Sequence, residues 1–368
     1  MKSTVNMKKI ISLCGAIVAF NIGSGFATGQ EIMQFFSSYG VGGCIGACLI
    51  TTILMVWTCV MLVEDGHKLK LKSANSIWIY YCGKYLGTFL KYFTPFFLFA
   101  VLIVMTSGAG SVLNEYYGLP TWVGRLLISL LMAFFVSTGL KNITTVIGGL
   151  GVVIIVFCLL VGAVSLAGNF QGLATADEAL KSLNVTKSAS AWWISGILYT
   201  TFMALNMGPF FTGLGADTKD VKEARLGGLA GGVAFSLCLM LMAFALLASI
   251  TLTAEKAVPT LAISEKISPI LGAIFSVILI AGIFTTTVSL LWISCNFLCQ
   301  DEKDKKFKII AVVATVIVFF GSELPFSTLV NIVYPYTGYL GILIFICIVY
   351  VHYFKKNKVN PETQESIE

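Results

Sequence analysis

Charge is what this sequence has least of: 11% of its 368 residues are Asp, Glu, Lys or Arg, against about 25% in soluble domains. A chain so poor in charge cannot cover itself with a water-facing surface, which sets aside soluble enzymes and nucleic-acid binders. Histidine is almost missing, with two residues. His67 and His352 stand far apart and beside lysines, so a metal site built from them is not expected. The ten cysteines include no C-x-x-C pair. Most stand inside apolar runs (Cys44, Cys48, Cys59, Cys158, Cys238, Cys295 and Cys347), where a thiol acts as a small apolar side chain. No phosphate-binding glycine loop, catalytic triad or cofactor fingerprint occurs. The chain is therefore not read as an enzyme, and no organic cofactor is expected.

What is present is apolar: 57% of residues are hydrophobic and the mean hydropathy is +0.90. Several runs approach the ~20 residues needed to cross a bilayer. Ten spans are expected, at roughly 10–36, 41–63, 88–116, 121–139, 142–170, 191–215, 225–253, 270–300, 308–321 and 325–354. Lys8-Lys9 followed by Ile10 to Phe20 imitates a signal peptide, but the apolar character resumes through Met33-Gln34-Phe35-Phe36, so it reads as the first span. With the N-terminus inside, nineteen of the 24 Lys and Arg fall on inner segments, which supports both termini being cytoplasmic. Segments 1–9 and 355–368 are then a cytoplasmic N-terminus and tail, and 171–190 is a polar outer loop. Residues 254–268, between prolines, suit a short outer helical cap. Trp122, Trp192 and Trp193 at outer ends, and Trp78, Tyr80 and Tyr81 at an inner end, read as interfacial anchors.

The spans divide into two five-helix halves, 10–170 and 191–354. The first span of each half is interrupted. One reads Ala19-Phe20-Asn21-Ile22-Gly23-Ser24-Gly25-Phe26, the other Leu205-Asn206-Met207-Gly208-Pro209-Phe210-Phe211. Glycine and proline cost about 1 and 3 kcal/mol of helix propensity, and non-helical backbone is tolerated in a bilayer only where protein or a watery cavity satisfies the freed groups. Five spans per half give opposite topologies, and paired breaks in inverted halves point to the central site of a secondary transporter. The fold class read from this pattern is an all-α membrane protein with a 5+5 inverted repeat and discontinuous helices 1 and 6.

The stretch NIGSGFATGQEIMQFF, Asn21 to Phe36, resembles the first-helix signature of the bacterial YkvI-like family of proposed amino-acid permeases. That family belongs to the amino acid–polyamine–organocation superfamily with the LeuT-type inverted repeat. The resemblance implies a bacterial secondary transporter for a small amino acid or related amine, driven by sodium or protons. A membrane sensor on the same fold, or a channel, remains the alternative.

The substrate is expected between the breaks, at Asn21, Gly23, Ser24, Gly25 and Phe26 and at Asn206, Met207, Gly208 and Phe210. The second helical half of the first span is expected to begin near Phe26, with backbone N–H groups facing a carboxylate. Thr106 and Ser107 are placed in the same cavity from their depth in the third span alone. By the LeuT-type resemblance, a sodium site is expected from the carbonyls of Ala19, Ile22 and Gly282 and the hydroxyls of Thr285 and Thr286, oxygen ligands suited to a hard cation. Glu31, with Gln30 beside it, is the one acid well inside a span. It lies roughly 7.5 Å beyond Phe26 at 1.5 Å per residue. Its expected roles are to pair with a cationic substrate group, to carry a proton, or to close a gate with Arg125. The bland alternative is a solvated acid near the helix end.

Overall fold

The structure, a computed structural model, describes residues 6–71, 76–138, 141–299, 301 and 304–354, with side chains apart from those of 138–150. The tail 355–368 and residues 1–5 lie outside the described residues. The described residues are largely helical. The first expected span becomes α1 (Met7–Asn21), α2 (Ser24–Thr28) and α3 (Gln30–Phe35), followed by a 3-10 turn at Ser37–Tyr39. Then come α4 (Gly40–Leu69), α5 (Ile77–Tyr117), α6 (Thr121–Thr138), α7 (Lys141–Gly168) and the short α8 (Gly172–Ser182). The second half runs through α9 (Trp192–Ala216), α10 (Val221–Ala248), α11 (Ile250–Thr253), α12 (Pro259–Ile267), α13 (Pro269–Leu298), α14 (Lys305–Gly321) and α15 (Phe326–Tyr353). Among the described residues, six helices are long and apolar enough to cross a membrane by themselves. The other expected spans fall on α1–α3, α6, α9 and α14.

Local chemistry sets the helix starts. Asn6, Asp220 and Asp304 cap α1, α10 and α14 by accepting from the backbone N–H two residues on, which satisfies one of the orphan donors of a first turn. Pro259 and Pro269 open α12 and α13, where a missing N–H costs nothing. The helix α12 lies where the outer cap was expected.

Helices α1, α4, α9 and α10 pack into one group, and α5, α6, α13 and α14 into another, with α15 against both α9 and α5. The first group closes through glycine. A Cβ on Gly66 would overlap the Thr212 carbonyl oxygen, and one on Gly215 would overlap the carbonyl oxygen of Val63. The α4 and α9 backbones touch there, the way helices gain dispersion contact in lipid. Gly215→Ala forces backbone against backbone, so it is expected to cost at least ~1–3 kcal/mol. Gly213→Ala, with nothing within 4 Å of the added methyl, is the control. Thermal unfolding of the purified variants checks this, and only Gly215→Ala should lower the Tm.

Two expectations are corrected at this level. The second break is absent: α9 runs unbroken from Trp192 to Ala216 with Pro209 inside it. A single proline removes one donor, and α9 is packed against both α4 and α15, so the helix continues through Pro209. Trp78 and Tyr81 are also not interfacial anchors, being 0% and 4% exposed. Gly83, at φ +72°, turns the chain back inside α5. Residues 77–82 therefore fold under α9, with the Trp78 indole against Gly208.

Candidate functional site

The first break is made of two separate interruptions. Ile22 ends α1 and Gly23, with extended backbone (φ −87°, ψ −171°), leads into α2. Helix resumes at Ser24, two residues earlier than expected, and stops again at Gly29, whose φ of +79° lies in the left-handed region that favours glycine. A Cβ at Gly29 would also meet Thr260 Cγ2 at 2.7 Å. The carbonyls loosened by this second stop are answered by side chains. Thr28 Oγ1 donates to the Gly25 carbonyl at 2.7 Å and Thr260 Oγ1, from α12, to that of Ala27 at 2.5 Å.

Gly29 also redirects Glu31. The expectation set this carboxylate a turn and more above the substrate. Instead it folds back, and its Oε2 lies 3.3 Å from the position a Cβ on Gly25 would take. Glu31 is 5% exposed and its Oε1 accepts from the Tyr199 hydroxyl at 3.3 Å. The Tyr334 hydroxyl lies 3.5 Å from the same point on Gly25. Around the carboxylate the rings interlock: Tyr334 stacks on Phe202 at 4.8 Å, and Tyr199 meets Phe35 and Phe202 edge-on at 5.3 and 5.4 Å. The result is a buried carboxylate at a helix break, walled by aromatic faces.

The remaining expected residues divide. Ser24 donates to Met105 Sδ at 3.3 Å and to Thr286 Oγ1 at 3.1 Å, so α2, α5 and α13 meet at its hydroxyl. Asn21 is 3% exposed; its amide donates to the Ile17 carbonyl at 3.0 Å, while its Oδ1 has no partner. A Cβ on Gly23 would meet nothing within 4 Å. Phe26 turns away and packs on Phe235 at 5.8 Å. Depth alone misplaced Thr106 and Ser107. The Thr106 hydroxyl bonds its own helix at Leu102, Ser107 bonds the Leu324 carbonyl, and Met105 takes the position beside Ser24 and Gly25. On α9, Asn206 is half-buried, Met207 is buried, and Phe210 stacks on Phe20 at 4.5 Å.

Of the expected cation ligands, Gly282 and Thr286 come to the break through Ser24, whose Cβ lies 3.8 Å from the Cβ position of Gly282. Thr285 and Thr286 both donate to the Gly282 carbonyl at 2.9 Å, a helical back-bond of the common kind. Ile22 is buried and Ala19 is exposed. The Glu31–Arg125 gate is not formed: Arg125 lies over the Phe319 ring at 5.5 Å.

At the end of the bundle where α8 and α12 lie, a polar cavity of about 310 Å³ is lined by Gln30, Gln34, Glu115, Thr186 and Lys256. With its amide turned so that both ends are satisfied, Gln30 donates to the Lys256 and Ala257 carbonyls at 3.0 and 3.2 Å and accepts from Gln34 at 2.8 Å. Glu115 accepts from the backbone N–H groups of Ala257 and Val258 at 2.7 and 3.0 Å. Gln30 thus forms the floor of this cavity, one residue before Glu31.

At the opposite end, buried acids that sequence reasoning missed join the helices. Glu64 pairs with Arg225 at 2.5 and 2.7 Å and with Lys68 at 2.5 Å. Asp65 accepts from Tyr81 at 2.5 Å and pairs with His352 at 3.1 Å. These groups link α4 to α10, to the start of α5 and to α15. The signal was present as the adjacent pair Glu64-Asp65 at a span end, which reads equally well as solvated surface. Tyr199 and Phe202, three apart on one helix face, were the sequence trace of the aromatic wall.

No family model matches the chain. It is 24% identical over 344 residues to the uncharacterized protein YyaD of Bacillus subtilis (strain 168), covering 93% of this chain and 95% of that one. It is 24% identical over 327 residues to the uncharacterized membrane protein YkvI of the same organism, covering 87% and 90%. Among solved structures it is similar to MhsT in complex with L-phenylalanine, with a TM-score of 0.59 and 14% identity over 95% of this chain and 89% of that one. It is also similar to a mutant of the Eremococcus coleocola manganese transporter, with a TM-score of 0.62 and 14% identity over 100% and 85%. The chain is a multi-pass membrane protein with the LeuT-type fold.

Proposed function

We propose that this LeuT-type chain is a bacterial secondary transporter that moves a small amino acid or related amine across the cytoplasmic membrane by alternating access, with both termini cytoplasmic. The observation that carries the reading is the Glu31 carboxylate, buried against Gly25 at the break in the first span. A carboxylate at membrane depth costs a few kcal/mol unless it faces water or a partner, so a role towards a substrate, an ion or a proton is its default reading. The fold shared with MhsT, whose structure holds L-phenylalanine, and with a manganese transporter supports transport as the use of such a site.

In this reading the substrate lies beside Gly23 and Gly25. Its amine faces Glu31, Tyr199 and Tyr334 line the same space, and Asn21 Oδ1 is free to accept. A substrate carboxylate is met by backbone N–H groups at Ser24 to Phe26. The polar cavity over Gln30 is the outer approach, and the Glu64 and Asp65 clusters hold the cytoplasmic end closed. A sodium ion, where sodium is the coupling ion, takes oxygens from Ile22, Gly282 and Thr286 beside Ser24.

The test is uptake of labelled amino acids and amines into proteoliposomes under a sodium or a proton gradient. Gradient-driven accumulation is expected. Ligand binding without any accumulation would replace the reading with that of a sensor. Within the same assay, Thr286→Val removes the hydroxyl that Ser24 meets. If sodium couples, the sodium concentration for half-maximal uptake should rise about tenfold, the equivalent of ~1.4 kcal/mol. An unchanged requirement would place the ion elsewhere.

A further inference from the structure

At the end of the bundle where Glu64 and Asp65 lie, one histidine stands between two oxygen acceptors. His352, in the last turn of α15, sets Nδ1 3.0 Å from the Ile348 carbonyl and Nε2 3.1 Å from Asp65 Oδ2 on α4. A neutral imidazole has one N–H and one bare nitrogen, so it cannot donate to both. One further proton is therefore held by the His352–Asp65 pair, as imidazolium facing carboxylate. Water has little access to it. The His352 side chain is 17% exposed and that of Asp65 6%, and the Trp57 and Tyr81 rings each lie 6.1 Å from the imidazole.

The same carboxylate fastens the chain that precedes Gly83. Tyr81 donates to Asp65 Oδ2 at 2.5 Å. Trp78, one turn earlier, presses its indole on Gly208 of α9, and among the described residues its Nε1 has no partner. At Gly83 the φ of +72° lies in the region that favours glycine, and a Cβ there would meet nothing within 4 Å. Residues 77–82 thus sit on packing and on the Tyr81 hydroxyl, next to a hinge with free space around it. Taking the proton from His352 leaves Asp65 a buried carboxylate without its cation. Breaking a buried pair in this way is strongly destabilising.

We propose that the His352–Asp65 pair is a cytoplasmic pH sensor: holding its proton it fastens residues 77–82 under α9, and at alkaline pH it releases them to swing about Gly83. The inference rests on the reading of this end as the inner face of a transporter. The clasp is complete while the pair keeps its proton and is lost as rising pH removes it. The groups around His352 make the histidine the one that switches. From α4 come Asp65 and Lys68, with Glu64 paired to Arg225 and Lys68. Residues 77–82 bring Tyr80, Tyr81 and Cys82, and α15 itself brings Cys347 and Tyr353. His67, the other histidine, faces Thr218 instead. Among these side-chain types only histidine ordinarily changes charge between about pH 5 and 8.

Because the chain has two histidines, isotope-labelled histidine in the purified full-length protein gives two imidazole signals by NMR, and His352→Gln tells them apart. At about pH 7.5, where an isolated histidine is mostly neutral, His352 should carry both ring protons in the wild type and one in Asp65→Asn. Hydrogen exchange reads the segment. Corrected for the intrinsic rate, residues 77–82 of the wild type should exchange roughly tenfold faster at about pH 8.5 than at about pH 6.5, and His352→Gln should lose that dependence. In proteoliposomes, alkalinising the compartment that faces this end should change wild-type uptake and leave His352→Gln unaffected. A neutral His352 at pH ~7.5, or exchange of 77–82 indifferent to pH, overturns the proposal; both are read on the wild type, so neither depends on a variant folding. Equal pH sensitivity of uptake in wild type and His352→Gln overturns it as well. Titration and exchange as expected, with no uptake of any substrate, would sink the transporter reading and leave the clasp standing.

Discussion

Glu31→Gln is expected to lower gradient-driven uptake roughly 10- to 100-fold while leaving the protein folded. The amide keeps the shape of the carboxylate and can still accept from the Tyr199 hydroxyl, so the aromatic wall around it persists. What disappears is the charge, and a hydrogen bond or ion pair to a buried charged group is worth about 1.5–3 kcal/mol, a factor of ten or more in affinity or rate. The pattern of loss separates two uses of that charge. If Glu31 pairs with the amine of the substrate, the variant loses binding, uptake and substrate exchange together. If it carries a proton, exchange between equal substrate pools survives while accumulation under a proton gradient stops. Wild-type uptake in Glu31→Gln would remove the carboxylate from the mechanism.

Gly25→Val is expected to abolish uptake, whereas Gly23→Ala should fold and assemble normally. At Gly25 an added Cβ already meets Glu31 Oε2 at 3.3 Å, Met105 Cε at 3.4 Å and the Tyr334 hydroxyl at 3.5 Å. Alanine can be accepted by small shifts of flexible atoms. The two further methyls of valine cannot, and they push the carboxylate off Tyr199; such overpacking costs about 1–3 kcal/mol. Gly23 has extended backbone that any residue adopts and open space where its Cβ would go, so no clash accompanies alanine there. Uptake together with size-exclusion profiles of the purified variants checks the contrast. Normal transport by Gly25→Val would show that Gly25 and Glu31 do not share a working site.

The two predictions depend on residues whose roles the sequence distributed unequally. Composition and run length alone were enough for an all-helical membrane protein, because bilayer thickness and the need to satisfy every backbone polar group leave few solutions. The first break was legible in part: Gly23 and Gly25 beside Asn21 stand against helix propensity, and the chain does leave the helix at 22–23, but Gly25 lies inside α2 and the second stop, at Gly29, was not expected. The same reasoning failed at Pro209, since one proline weakens a helix without ending it when the neighbouring helices hold it. Propensity states the local cost and is silent about what offsets it.

Residue spacing along one helix could not place Glu31. The straight-helix distance put it well beyond the substrate, and the left-handed turn at Gly29 brought it back to Gly25. Nor could depth choose Met105 over Thr106, because which face of α5 meets α2 depends on how α13 and α15 pack around it. Tyr199 and Tyr334 are far apart in the chain and carry no motif; only the packing of α9 against α15 brings their hydroxyls to one carboxylate. The sequence by itself determined the solvent, the helices and the place where one of them breaks, since these follow from local propensity and transfer energy. The tertiary structure alone decided which side chains surround the break, because that is set by contacts between residues remote in sequence.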